Sequence, residues 1–169
     1  MTRVLVAYAT RFGSTREVAS AIAHELISYG LQAQSAEASA LLVPEDYDAF
    51  VIGSPVYGGQ WLDEAGIFTA TTASRMKDKP VALFSIGMLM LKNRDAGIAE
   101  HKSFINRLVE LAPDLNVVAD SVFPGYFDRA NLPFWLQLVD QFAPTPQGDH
   151  RDWTEIKEWA KSIACRLTM

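Results

Sequence analysis

Four stretches of the chain are apolar at nearly every position: Val4–Ala9, Phe50–Gly53, Val81–Ile86 and Val117–Phe123, with a weaker fifth at Leu31–Ala36. A strand with one wet face alternates apolar and polar residues, so runs that do not alternate are expected to be covered on both faces. Between them the apolar positions take helical spacing. Val18, Ile22 and Leu26 recur at i, i+4 and i+8 and stop before Gly30, while Ile98, Ile105, Leu108 and Ala112 share a face that ends at Pro113. The last helix is the clearest, with Asp152 and Glu155 in capping-box spacing and an apolar stripe of Trp153, Ile156, Ala160, Ile163 and Leu167. Five β-rich runs alternating with helices predict an α/β fold, a three-layer sandwich of a five-stranded parallel sheet with helices on both faces. Ligands of such sheets bind beyond the C-terminal strand ends, at the switch in strand order. The loops after the first, third and fourth runs are therefore the candidates.

One segment breaks the alternation. The connection from Pro124 to Arg151 is too long for a structureless loop in a compact domain. A short helix is expected in it over Leu132–Phe142, with Trp135, Leu138, Val139 and Phe142 on one side and Phe134 and Leu136 on others, so it must bury more than one face. The expectation is a single domain, 1–169, with an insertion at about 124–150.

Composition narrows the classes. A net charge of −5, with no run of lysine or arginine, argues against a nucleic-acid surface. The lone Cys165 has no internal disulfide partner and is expected to be an inert, buried or half-buried thiol. His24, His101 and His150 lack metal-ligand spacing, so no metal site is expected. The sequence starts directly with the strand MTRVLVAY and holds no apolar run near the roughly 20 residues of a membrane span, which predicts a cytoplasmic protein.

Candidate chemistry begins where the first run breaks into TRFGST and restarts as a helix. A dinucleotide loop needs GxGxxG, and only Gly13 is present; a P-loop needs a lysine where Ser14 stands. What remains is Thr10, Ser14 and Thr15 as hydroxyl donors around Gly13, at a helix start whose free N–H groups point the same way, with Arg11 and Phe12 in the same turn. That set suits one terminal phosphate. After the third run, GSPVYGGQW places Tyr57 and Trp61 on either side of Gly58–Gly59, so that a planar ligand could stack on a ring while the backbone comes close. After the fourth, Ser85, Ile86, Gly87 and Met88 form a second loop at the same edge.

TRFGST, the SPVYGGQW loop and the order of strands resemble the flavodoxin family across the whole chain. The TRxGxT form of the first loop, the compact fourth loop and the aromatic insertion before a DW-E helix are similar to its menaquinone-dependent protoporphyrinogen dehydrogenase branch. The resemblance implies FMN, its phosphate on Thr10, Arg11, Phe12, Gly13, Ser14 and Thr15. It also implies the ring system between Ser54, Pro55, Val56, Tyr57, Gly58, Gly59 and Trp61 on one side and Ser85, Ile86, Gly87 and Met88 on the other. A backbone carbonyl at Gly58 or Gly59 that rotates towards flavin N5 would favour the reduced form.

The leading expectation is an FMN oxidoreductase with a small-molecule electron donor or acceptor, a quinone or a protoporphyrinogen-type tetrapyrrole, and no residue in covalent catalysis. The alternatives are an electron carrier serving a protein partner and a domain that has lost its flavin. Lys92 and Arg94, close to the presumed ring, either hold carboxylates or are solvated; small electron-carrying flavodoxins usually show acids there. The insertion could close over the flavin, form a homodimer contact or touch a membrane. Membrane contact is the least favoured, because Asp128, Asp140 and Asp149 stand there with Arg129 as the nearby cation.

Overall fold

The computed structural model describes residues 1–131 and 146–168. The helix expected over 132–142, and with it the dimer or lid contact through it, lies outside the described residues.

Five long strands run parallel in the order β2-β1-β3-β5-β6: β1 (Arg3–Tyr8), β2 (Gln32–Glu37), β3 (Ala49–Tyr57), β5 (Pro80–Ile86) and β6 (Asn116–Phe123). A two-residue strand, β4 (Gln60–Trp61), folds back antiparallel on the end of β3. The helices are α1 (Ser14–Ser28), α2 (Asp63–Thr72), the short α3 (Leu89–Lys92), α4 (Arg94–Leu111) and α5 (Trp153–Ala164). A small antiparallel pair, β7 (Tyr126–Phe127) and β8 (Gly148–Asp149), lies at the two ends of the 132–145 segment.

Successive residues of each strand enter opposite layers of the core, as the unbroken apolar runs require. Val4 and Val6 join Val18, Ile22, Ile156 and Ile163 beneath α1 and α5. Leu5 and Ala7 join Phe50, Ile52, Phe68, Leu83 and Ile105 beneath α2 and α4. Each fully buried aliphatic or aromatic side chain contributes about 1.5–3 kcal/mol, so both faces of the sheet are firmly held. β2 is the sheet's polar edge, with residues alternately exposed and partly covered, which accounts for its weak apolar signal.

Three local expectations need correction. β3 continues past Gly53 to Tyr57, because Ser54 and Pro55 still pair with Ser85 and Ile86 and the hairpin with β4 takes over from there. Ile98 is 38% exposed, and buried Gly97 and His101 take its place on the inner face of α4. Cys165 is exposed at the end of α5 rather than covered. α2 also carries little helical periodicity to read, since two of its buried positions are Thr69 and Thr72. Their hydroxyls donate to the carbonyls of Ala65 (2.7 Å) and Phe68 (2.5 Å) one turn back, which makes burial affordable for a polar side chain. On α5, Asp152 caps the backbone N–H groups of Thr154 and Glu155 as expected, whereas the Glu155 carboxylate pairs with Arg94 instead of reaching back.

Gly53 faces Phe84 across β3 and β5, and a Cβ there would sit 2.0 Å from the ring's Cζ. Phe84 itself packs against Phe123 and Trp159 with centroids 6.5 and 6.2 Å away, leaving little room to retreat. Gly53→Ala should therefore lower the unfolding free energy by about 1–3 kcal/mol or more, with Phe84→Leu added to it restoring part of the loss. Urea denaturation of the two variants checks this; an unmoved midpoint in the single variant would mean the aromatic cluster yields freely.

Candidate functional site

β1 ends at Tyr8, and the chain turns through Thr10–Gly13 into α1. Thr10 Oγ1 accepts the N–H of Gly13 at 2.9 Å, and Gly13 takes φ 92°, a left-handed conformation that glycine adopts at least cost. Having no side chain, Gly13 offers no cap to the helix, whose first backbone bond runs from Glu17 N–H to the Gly13 carbonyl at 3.3 Å. The N–H groups of the first turn consequently project from the helix end. Thr15 stands in that turn, fully buried, and its Oγ1 is a buried polar atom without a partner among the described residues. An unsatisfied buried hydroxyl costs about 1–3 kcal/mol. Beside the positive end of an uncapped helix, it leaves this turn rich in unused donors.

Arg151 braces this turn from behind, a contact the sequence did not announce. Its side chain is only 7% exposed; Nη1 reaches Glu17 Oε2 (2.8 Å) and the Ser14 carbonyl (3.3 Å), and Nη2 reaches Asp149 (2.6 Å). The guanidinium also lies over the rings of Trp153 (4.6 Å) and Tyr126 (6.0 Å).

The second loop is a two-residue hairpin. Val56 pairs with Trp61 and Tyr57 with Gln60, leaving Gly58 (φ 59°) and Gly59 (φ 75°) as the turn. Positive φ at both central residues is the type I′ arrangement whose twist matches the strands, and two glycines supply it without strain. The Gly59 carbonyl accepts from Arg107 Nη2 of α4 at 3.2 Å. Tyr57 is 43% exposed, and the guanidinium of exposed Arg11 lies 5.1 Å over its ring. Partial burial pushes the phenol pKa up, so the ring presented here is neutral.

Trp61 departs from the expected place. It is 5% exposed, stacks on Phe104 at 5.0 Å and donates its indole N–H to Ser85 Oγ at 2.7 Å. Its ring is thus part of the packing beneath the hairpin, and Tyr57 alone of the two aromatics faces outward. Ser54 is similarly buried and accepts the Leu62 N–H at 2.9 Å, fixing the return of the hairpin.

Ser85, at the end of β5, is wholly buried and also meets Nδ1 of His101 at 2.8 Å. His101 Nε2 lies 3.0 Å from Asp120 Oδ2, which Lys102 approaches to 2.5 Å. His101 first, and then Lys102, hold the Asp120 carboxyl well below the usual range, at about 2. Nothing in the spacing of His101 pointed to this contact, because its partners lie 16 and 19 residues away in the chain on different strands.

Phe12 and Ser14 from the first loop, Pro55–Tyr57 from the second, and Ile86 and Met88 from the third line one cleft at the C-terminal edge of the sheet. The fourth wall is the start of the insertion, none of whose residues was among the expected cofactor contacts: Gly125, Tyr126, Phe127, Asp128 and Asn131, after β6. Gly125 is required there, since a Cβ would lie 2.7 Å from Ile86 Cγ2. The signal that could have found it is PGYFD itself, an aromatic pair following Pro-Gly at a fourth strand end. Of the remaining candidates, Thr15, Ser54, Trp61, Ser85 and Gly87 are buried behind the lining, and Thr10, Arg11, Gly13, Gly58 and Gly59 belong to the turns at its rim. Arg94 is committed to Glu155 at 2.6 Å, whereas Lys92 is exposed. The described residues contain no cluster of metal-ligating side chains, and no helix among them is long and apolar enough to cross a membrane.

This arrangement has relatives. Residues 5–152 match the family model described as a flavodoxin domain. A curated protein named protoporphyrinogen IX dehydrogenase [quinone], from Escherichia coli strain K12, is 27% identical over 172 aligned positions covering 96% of this chain and 94% of its own. Among solved structures, a short-chain flavodoxin associated with a bacterial microcompartment superposes with a TM-score of 0.63 at 15% identity, covering 99% of this chain and 97% of that one. A flavodoxin from the domain Archaea gives 0.62 at 18% identity, covering 99% of each chain. With the family model spanning β1 through the start of α5, and the strand order and loop-lined edge already on view, the chain belongs to the flavodoxin-domain family, and FMN is the cofactor that this membership indicates.

Proposed function

We propose that this protein is an FMN-dependent oxidoreductase whose substrate is a small organic molecule of the quinone or porphyrinogen kind. The FMN phosphate sits on the Thr10–Thr15 turn and the ring system in the cleft between Tyr57 and the Gly125–Asp128 segment. The observation that carries the reading is Thr15. A buried hydroxyl without a partner among the described residues, at a helix start with no side-chain cap, fits a phosphate monoester that supplies the missing acceptor. Bound FMN supplies electron transfer in one- or two-electron steps.

The chain's own residues do the rest. The first turn of α1 and Thr15 hold the phosphate; Tyr57 offers a neutral face; Pro55, Ile86 and Met88 keep water from the floor of the cleft. The substrate class is supported by the rim. Phe12, Tyr57 and Tyr126 are each more than a third exposed around the cleft, which suits stacking of an aromatic substrate better than docking of a charged protein. The resemblance in sequence to a quinone-reducing dehydrogenase of porphyrinogens points the same way.

Three outcomes are expected. Thr15→Val keeps the side-chain volume and removes the orphaned hydroxyl, so the flavin-free protein should be as stable or more so. FMN affinity should fall roughly ten- to hundredfold, the worth of a hydrogen bond to a charged group, while riboflavin binding stays unchanged. Titration calorimetry with both flavins decides; equal FMN affinities for the two proteins would remove the phosphate assignment.

The turn at Gly58–Gly59 should tune the potential asymmetrically. Rotating its central peptide converts type I′ into type II′, where the second residue takes a negative φ. Gly59→Ala therefore favours the rotated form by about 1–2 kcal/mol. If the Gly58 carbonyl then meets flavin N5–H, the two-electron midpoint should rise by about 20–40 mV. Gly58→Ala should lower it or leave it unraised, because type II′ takes the first residue to a positive φ with a strongly negative ψ that a Cβ disfavours. Redox titrations showing equal midpoints in all three proteins would mean that the turn does not respond to the flavin.

Purified protein should be yellow, with flavin absorbance, and should oxidise protoporphyrinogen with a menaquinone analogue as acceptor. If it turns over neither class of substrate but passes electrons to a protein acceptor, the carrier reading takes its place.

A further inference from the structure

We propose that His101 is a positioning residue, which sets the Gly58–Gly59 turn through a one-way chain of hydrogen bonds running Trp61, Ser85, His101, Asp120. The proposal deepens the flavin reading, because that turn is the one placed against the ring system.

His101 is 2% exposed, and both ring nitrogens are engaged, Nδ1 with Ser85 Oγ at 2.8 Å and Nε2 with Asp120 Oδ2 at 3.0 Å. Donor chemistry gives the chain its direction. An ionised carboxylate only accepts and an indole N–H only donates. The Asp120 carboxylate therefore takes the Nε2 proton; in the neutral ring Nδ1 is left as an acceptor for the Ser85 hydroxyl; and the Ser85 oxygen is free to receive the Trp61 N–H at 2.7 Å. Lys102 supports the far end, 2.5 Å from Asp120. With the imidazole neutral, no link can be reversed while the others stay satisfied.

Position is what such a chain provides. β4 is two residues long and is joined to β3 by two pairs only, so its own ladder fixes it weakly. α4 supplies the rest along one face: Phe104 stacks on Trp61 at 5.0 Å, Arg107 holds the Gly59 carbonyl at 3.2 Å, and His101 orients the Trp61 ring through Ser85. Stacking leaves a ring free to slide in its plane, whereas a hydrogen bond at the indole edge does not. An apolar set of the same shape would serve stability at least as well. The polar one adds a defined orientation for the hairpin that ends in the Gly-Gly turn.

The test uses His101→Phe and His101→Asn, whose side-chain oxygen can replace Nδ1 as acceptor for Ser85. In flavin-free protein the Trp61 indole N–H, assigned with Trp61→Phe, should exchange with solvent at least tenfold faster in His101→Phe, and His101→Asn should restore most of the protection. In FMN-loaded protein His101→Phe should shift the midpoint potential while the ratio of FMN to riboflavin affinity stays as in wild type. Unchanged indole exchange in His101→Phe would overturn the proposal, and so would lost protection with an unmoved potential, which describes a core histidine and nothing more. Should His101→Phe fail to fold, Trp61→Phe retains the stack on Phe104 and lacks the donor, and it should shift the potential in its place; an unmoved potential there overturns the proposal. A protein that binds no flavin would defeat the functional reading on which this one rests, and the indole exchange would still decide whether His101 holds Trp61.

Discussion

Five strands running in one direction impose the geometry on which everything else depends. A parallel neighbour cannot be reached by a tight turn, so each strand is followed by a crossover that must pack on one face of the sheet. Both faces are then covered, the strands become apolar throughout, and all their C-terminal ends gather on one edge. That edge cannot be sealed in the same way, because its loops have to leave one helix or strand and enter another. The first, second, third and fourth loops meet there through Phe12, Tyr57, Met88 and Tyr126.

The two kinds of polar group at this edge are treated oppositely. Ser85 is bonded both to the Trp61 indole and to His101, and Ser54 both accepts from Leu62 and donates to the Pro55 carbonyl. Thr15 has none in use among the described residues. Burial of an unpaired hydroxyl is a cost that a fold selected for stability alone would shed by placing valine there. Its presence beside an uncapped helix start is what the proposed phosphate site rests on.

The strands were legible because burial on both faces writes itself into every position of Val4–Ala9, Phe50–Gly53 and Val81–Ile86. α1 and α5 were legible through clean stripes and, for α5, through Asp152. α2 was not, since Thr69 and Thr72 hide a buried face behind polar letters. In the site, single loops could be read one at a time: TRFGST for its hydroxyls and lone glycine, YGGQ for its turn. What could not be read is which side chain points where once loops meet. Trp61 and Tyr57 look alike in sequence as aromatics flanking Gly-Gly. They separate only because antiparallel pairing with Val56 turns Trp61 inward onto Phe104. His101 and Arg151 were missed for the same reason: Ser85 and Asp120, and Glu17 and Ser14, are brought to them by topology and not by spacing.

Arg151 shows how charge is arranged around the first turn of α1. Glu17 lies in the first turn of α1, where a carboxylate favours the helix through its dipole but repels a phosphate arriving at the same end. The buried guanidinium of Arg151 takes up that carboxylate at 2.8 Å and is itself balanced by Asp149 at 2.6 Å. Glu17, Arg151 and Asp149 then sum to one negative charge, so in the proposed site attraction for an anion falls to the helix N–H groups, the Thr15 hydroxyl and the exposed Arg11 of the same turn. Because the same guanidinium also lies over Tyr126, a wall of the cleft, the start of α1 and the far wall of the cleft share one brace. A side chain held by Glu17, the Ser14 carbonyl and Asp149 at once has little freedom to move, so it fixes the spacing between the two.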